Sequence, residues 1–182
     1  MSAKHVIDDL ADPDFGRLFT DVQSSWFRLE TLQHYDVPYE HDEFAAFSDG
    51  RPVQSRPGPW QAMIRDHIAN GRHLERVHVI EEPPSDYIRY ELHAYQPNLK
   101  AGEDIRIVPV ARGTWPTGVP WHDYWLFDDE RLWLMDYTDD GSFRAATLIN
   151  DPTTIREHRD WRDVALAQSV PLADYAFVPE LA

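Results

Sequence analysis

The chain has 182 residues, enough for one domain with a sizeable core; 42% of them are apolar and 13% aromatic, which excludes a disordered chain. It contains no cysteine, so disulfides, thiolate metal sites, iron–sulfur clusters and thiol nucleophiles are excluded. The net charge of −15 divides into −8 over residues 1–50, +1 over 51–112 and −8 over 113–182; this argues against direct nucleic-acid binding and fits either plain solubility or a basic protein partner.

The first residues lack a basic start followed by an apolar stretch, so no signal peptide is expected. No apolar run approaches the ~18 residues of a membrane helix, and the cytoplasm is the expected location. Phe15, Leu18, Phe19 and Val22 recur at helical spacing, with Pro13 and Asp14 suited to the first turn. Trp26–Leu32 alternates as a strand: Phe27, Leu29 and Thr31 face one way, Trp26, Arg28, Glu30 and Leu32 the other. Glu43–Phe47 reads as a helical turn ended by Gly50. Pro59 opens a helix whose stripe is Trp60, Met63, Ile64, His67 and Ile68, with Gly71 as its stop.

Leu74–Ile80 is a predicted strand. Ser85–Asn98 fits two patterns: Ile88, Leu92 and Tyr95 make a helical stripe, while Ile88, Tyr90, Leu92 and Ala94 alternate. Pro83–Pro84, Ser85 as N-cap and Gly102 beyond favour helix, with Pro97 ending it early. Ile105–Val110 is a strand, so Leu74–Val110 spells β-α-β, with two parallel strands expected. Tyr124–Phe127, Leu132–Tyr137 and Phe143–Ile149 then form an antiparallel meander through two acidic turns, Asp128–Glu130 and Asp139–Gly141. Asp151–Pro152 caps a last helix that Pro171 ends. The fold class is mixed α/β: one domain over 1–182, helices packed on the sheet, flexible ends expected at 1–12 and 177–182. Gly50–Pro59 and Gly113–Pro120 read as loops within it.

The sequence holds no GxGxxG, GxxxxGK, GxSxG or HExxH pattern. His73 and His78, five apart on a strand, face opposite sides and cannot chelate jointly. Tyr39-Glu40-His41-Asp42-Glu43 is rich in potential ligands, but neighbouring positions do not converge, so a solvated turn is expected, with no metal and no cofactor. The pairs Arg28/Glu30 and Arg89/Glu91 could form an internal charged ladder, bind a polar ligand on an open sheet face, or make surface ion pairs contributing ~0–1 kcal/mol. Trp121-His122-Asp123-Tyr124-Trp125 surrounds a His–Asp pair with aromatics. His122 and Trp125 could line a small-molecule pocket with His122 as base; alternatively, Trp125 packs in the core while His122 is solvated. The ligand-binding candidates are thus Arg28, Glu30, Arg89, Glu91, His122 and Trp125, with no catalytic residue assigned.

Several phrases run together: WFRLETL at 26–32, YDVPYE at 35–40, EPPSDYIRYEL at 82–92, AGEDIR at 101–106 and YWLFDD at 124–129. With these the chain resembles, over about residues 15–176, an uncharacterised domain-of-unknown-function family common in actinobacteria. That resemblance implies a setting beside helix-turn-helix regulators. The second half is distantly similar to sensor-type domains that look like a phospholipase-D-like fold without its catalytic His and Lys; no His-x-Lys occurs here.

Three readings follow. The first is a non-catalytic binding or regulatory module acting through a basic DNA-binding regulator. The second is a cofactor-independent enzyme using His122 or Glu30 as acid or base. The third is a structural or interaction homodimer.

Overall fold

The computed structural model describes residues 5–53 and 57–177. Among these, eight strands form one mixed sheet: β1 (Val6–Ile7), β2 (Ser25–Glu30), β3 (His73–Glu82), β4 (Asp104–Ala111), β5 (Asp123–Phe127), β6 (Arg131–Tyr137), β7 (Phe143–Ile149) and β8 (Val170–Pro171). Their order is β1-β7-β6-β5-β2-β3-β4-β8. The β3–β4 pair is parallel, as the β-α-β reading requires, and β5–β6–β7 is the expected antiparallel meander. A second parallel pair, β2–β3, was not legible in the sequence. From β2 the chain steps to β3 and β4, then returns to lay β5 antiparallel on the other side of β2. Such reversal points are where α/β sheets open crevices.

Among the described residues six α-helices pack around the sheet: α1 (Pro13–Thr20), α2 (His41–Ser48), α3 (Pro59–Ala69), α4 (Asp86–Ala94), α5 (Gln96–Ala101) and α6 (Pro152–Gln168). Local chemistry sets their ends. Asp12, Ser85 and Asp151 cap α1, α4 and α6 by accepting from backbone N–H groups of the first turn. The ambiguous 85–98 segment is helical, and the helix that Ser85 caps ends early, at Ala94, ahead of Pro97. Pro97 sits in the first turn of α5, where no N–H is needed, so the segment becomes two short helices. Gly102, at φ 111°, closes α5.

Strand alternation sorts the core onto two faces. Phe27, Leu29, Val77, Val79, Tyr124 and Leu126 pack with Ala165 of α6. The opposite face carries one apolar cluster around Trp26, Trp125 and Phe127 and a second around Ile80, Ile105 and Ile107. Within the segment 1–12, expected to be flexible, Ile7 is only 2% exposed and β1 pairs on β7. The rest of the expected flexible ends, 1–4 and 178–182, lies outside the described residues. Among the described residues no helix is long and apolar enough to cross a membrane.

Candidate functional site

Between the two apolar clusters, the same sheet face carries charge. In β2 Arg28 and Glu30 follow Trp26 on this face; in β3 Arg76 and His78 follow Leu74; in β5 Asp123 precedes Trp125. Parallel register sets Arg28 opposite Arg76 and Glu30 opposite His78. Directly opposed like charges repel unless carboxylates lie between them. Here they do. Arg76 Nη1 donates to Glu30 Oε1 at 2.6 Å and its Nε to Glu103 at 3.3 Å. Arg28 Nη2 donates to Asp123 at 2.7 Å and to the Tyr137 hydroxyl at 3.0 Å; its Nε lies 3.6 Å from Glu30. Asp123 also accepts from the Thr31 backbone N–H, the Thr31 hydroxyl and the Tyr35 hydroxyl, at 2.6–2.8 Å. Arg28 and Glu30 are buried, at 3% and 6% exposure, so they are not a surface pair.

Burial pushes the carboxyls at this network up, and their neighbours decide which of them escape that push. It would push Glu30 up, but Arg76, then Arg28, His78 and the Tyr95 hydroxyl hold its pKa down to about 2. Glu91, on α4, is pushed well above the ordinary carboxyl range by burial, then by Glu30 and Glu40. Glu40, in the 3-10 turn before α2, is raised to about 7 by burial, Glu30 and Glu43. His78 is pushed down by burial, more than Glu30 offsets. Its Nε2–H donates to the Leu32 carbonyl at 2.8 Å, leaving Nδ1 of the neutral ring as an acceptor facing the Tyr95 hydroxyl at 2.9 Å. Tyr95 also donates to Glu30 at 2.6 Å, so Glu30 and His78 Nδ1 compete for its one phenolic proton.

Glu30, Arg28, Arg76, Glu91, Tyr95 and Trp125 line a cavity of about 740 Å³, with Glu40 among its further walls. Arg28 Nη1 is buried without a hydrogen-bond partner, as is Glu91 Oε2, which stands 3.4 Å from His78 Nδ1. Buried orphan donors and acceptors are uncommon and ask for an explanation.

The structure brings four of the six sequence candidates to this cavity: Arg28, Glu30, Glu91 and Trp125. Arg89 is not there. It is exposed on the outer side of α4, where its guanidinium lies 5.7 Å from the Phe177 ring. His122 faces away from Asp123 and pairs instead with His158, Nε2 to Nε2 at 2.9 Å, beside a second crevice of about 550 Å³. Burial lowers the pKa of both histidines. Trp125 is buried, as the core alternative expected, and His122 is half-buried rather than solvated.

Arg76, His78, Tyr95, Glu103 and Asp123 were missed as a group. The alternation of β3 already places Arg76 and His78 on one face, but nothing local shows that β3 lies beside β2. The Tyr39–Glu43 cluster diverges: His41 turns to Asp36, Glu43 to Tyr90 and Glu40 to the cavity. No cluster of three or more metal-ligating side chains occurs among the described residues. Asp128, in the first of the acidic turns, is an anchor. At φ 55° it accepts from the backbone N–H groups of Gln23, Ser24 and Ser25 at the start of β2.

Fold and site together define a single-domain α/β protein built around a buried ion network that borders a cavity. The chain belongs to DUF6879, a domain of unknown function, whose pattern matches residues 13–177. No curated protein matches it. In fold it is similar to the phosphatidylserine synthase of Haemophilus influenzae, with a TM-score of 0.54 and 13% identity over 97% of this chain. The chain spans 41% of that protein's length, and the likeness is one of fold alone.

Proposed function

We propose that this protein is a small-molecule-binding module that acts without catalysis, in a regulatory setting with a basic helix-turn-helix partner. The observation that carries the ligand half is the orphan Nη1 of Arg28, an arginine otherwise held by Asp123, Tyr137 and Glu30 on the wall of the 740 Å³ cavity. Pockets that bind organic ligands combine apolar, aromatic walls with a few fixed polar groups, and this cavity has both. The partner half is supported by the acidic flanks, −8 each, and by the family resemblance.

Two measurements test it. Native mass spectrometry of the protein purified from cells should show a bound small molecule that Arg28→Met fails to retain. A gel-shift assay with a helix-turn-helix regulator encoded beside it should show displacement from DNA at low salt. An empty cavity and no effect on DNA binding would overturn the proposal.

The enzyme reading keeps one supporting observation: Glu30 and Glu40 line one cavity with pKa values near 2 and 7, the kind of separation that assigns acid and base roles. Carbon NMR of Glu40 tests it, and an ordinary carboxyl titration would end it.

A further inference from the structure

We infer that the ligand of this cavity is an organic cation: an amine or guanidine with an apolar body and an oxygen acceptor at its far end. This deepens the ligand-binding reading and rests on it.

The first argument is charge balance. Six carboxyl side chains line the cavity, namely Asp8, Asp9, Glu30, Asp36, Glu40 and Glu91, against two guanidinium groups, Arg28 and Arg76. Both arginines are already matched: Arg28 by Asp123 and Glu30, Arg76 by Glu30 and Glu103. Asp36 is held by His41 and Ser142. Glu40 and Glu91 have no arginine or lysine within ion-pair distance among the described residues. The basic group within ion-pair distance of Glu91 among the described residues is His78, a ring whose burial favours its neutral form. A ligand anion would drive these two carboxyls further toward their neutral forms, whereas a ligand cation would draw off their protons and pair with them.

The second argument is the walls. Arg28 lies 5.3 Å over the Trp125 ring and Arg76 5.3 Å over that of Tyr95, so these aromatic faces already hold guanidinium groups. Trp60 and Tyr39 extend the aromatic lining, and Tyr39 is 82% exposed beside Glu40. Trp60 is half-buried, and cation–aromatic attraction strengthens where water is excluded, which favours an amine inside the cavity beside that ring over one at the exposed Tyr39.

The third argument is the orphan guanidinium nitrogen. Arg28 is only 3% exposed and its charge is balanced, so Nη1 needs an acceptor and not a second anion. A hydroxyl, ether or carbonyl oxygen meets that need. The carboxyl pKa values agree with this assignment. Glu91 and Glu40 are both pushed up by burial and by neighbouring carboxylates, and a cation placed beside them would lower both. Glu40, raised to about 7, should therefore release its proton on binding near neutral pH.

The test uses the full chain and three probes of one shape: tyramine, neutral 4-ethylphenol, and anionic 3-(4-hydroxyphenyl)propionate. Calorimetry at pH 7 in two buffers of different ionisation enthalpy reads affinity and proton release together. The expected result is tyramine binding about tenfold or more tighter than either control, with protons released. Glu91→Gln and Glu40→Gln should each weaken it to a similar degree. The amide introduced by Glu91→Gln has the shape of the protonated acid the fold already favours, so that variant should fold. If the neutral or anionic probe binds as well as tyramine, or if neither variant weakens tyramine, the cation assignment falls and the ligand pocket stands. If none of the three binds even at about 10 mM, both fall.

Discussion

Replacing Glu30 by Gln should cost about 3 kcal/mol of folding stability at pH 7. The side chain keeps its shape and can still accept from Tyr95, but the charge between Arg28 and Arg76 is lost. The size follows from the carboxyl itself. Its pKa falls from 4.5 to about 2 on folding, a shift worth about 3 kcal/mol at about 1.4 kcal/mol per unit. Breaking a buried ion pair from one side typically costs about 3–5 kcal/mol, in agreement. Arg28 would retain Asp123 and Arg76 would retain Glu103, which places the loss at the lower end of that range. For a domain of this size the melting temperature should drop by roughly 6–12 °C. Because the folded pKa lies below the unfolded one, the contribution of Glu30 is complete above pH 4.5 and disappears as the pH falls to about 2. Urea unfolding of both proteins between pH 3 and pH 7 measures this. A variant within about 1 kcal/mol of the parent at pH 7, or a difference that does not shrink on acidification, would refute the reasoning.

Glu91→Gln should act in the opposite sense. A carboxyl raised on folding weighs against the folded state above its unfolded value, so the variant should gain stability over the parent, and more at pH 8 than at pH 5. A gain equal at both pH values would count against a buried, raised Glu91. Gly141→Ala should be costly, by about 2–3 kcal/mol in thermal melts. An added Cβ would lie 2.5 Å from the His34 carbonyl oxygen at φ +88°. Gly50→Ala, at φ +67° with open space around it, should cost about 1 kcal/mol. His122 and His158 should titrate below 6.5 by proton NMR, because burial excludes their charged forms. Their joint effect is a loss of stability as the pH falls below 6.5, which a double Asn variant should flatten.

How much of this site a sequence can show is visible in two pairs of residues. Arg28 and Glu30 are two apart on a strand, so alternation alone places them on one face, and their company there includes Trp26. Arg89 and Glu91 are also two apart and would share a face if their segment were a strand. The segment is helix α4, where two residues are separated by about 200°. Glu91 therefore points inward and Arg89 outward, and one unresolved choice between helix and strand decided half of that quartet. His122 and Asp123 show the converse. They look like a catalytic pair because they are adjacent, yet the start of a strand sends adjacent side chains to opposite faces: Asp123 to Arg28, His122 to His158. The meander and the last helix were legible because their signals are local. The β2–β3 pairing was not, because it joins residues about fifty positions apart through two helices and their loops, and only that pairing turns two alternating strands into one cluster.

The position of that cluster also says what it is not for. On the same sheet face, apolar clusters flank it on both sides, so continuing the hydrophobic core across Arg28, Glu30, Arg76 and His78 would have been the simpler packing. Replacing a buried ion network by apolar groups of similar volume is often neutral or stabilising. Stability alone therefore does not account for these charges. They sit on the central strands where the chain reverses direction, with Arg28 Nη1 and the Oε2 atoms of Glu91 and Glu103 left unpaired, and the carboxyls around them outnumber the cations. An arrangement made only to hold the sheet together would have closed those valences internally. One made to receive a polar guest leaves them for the guest to close.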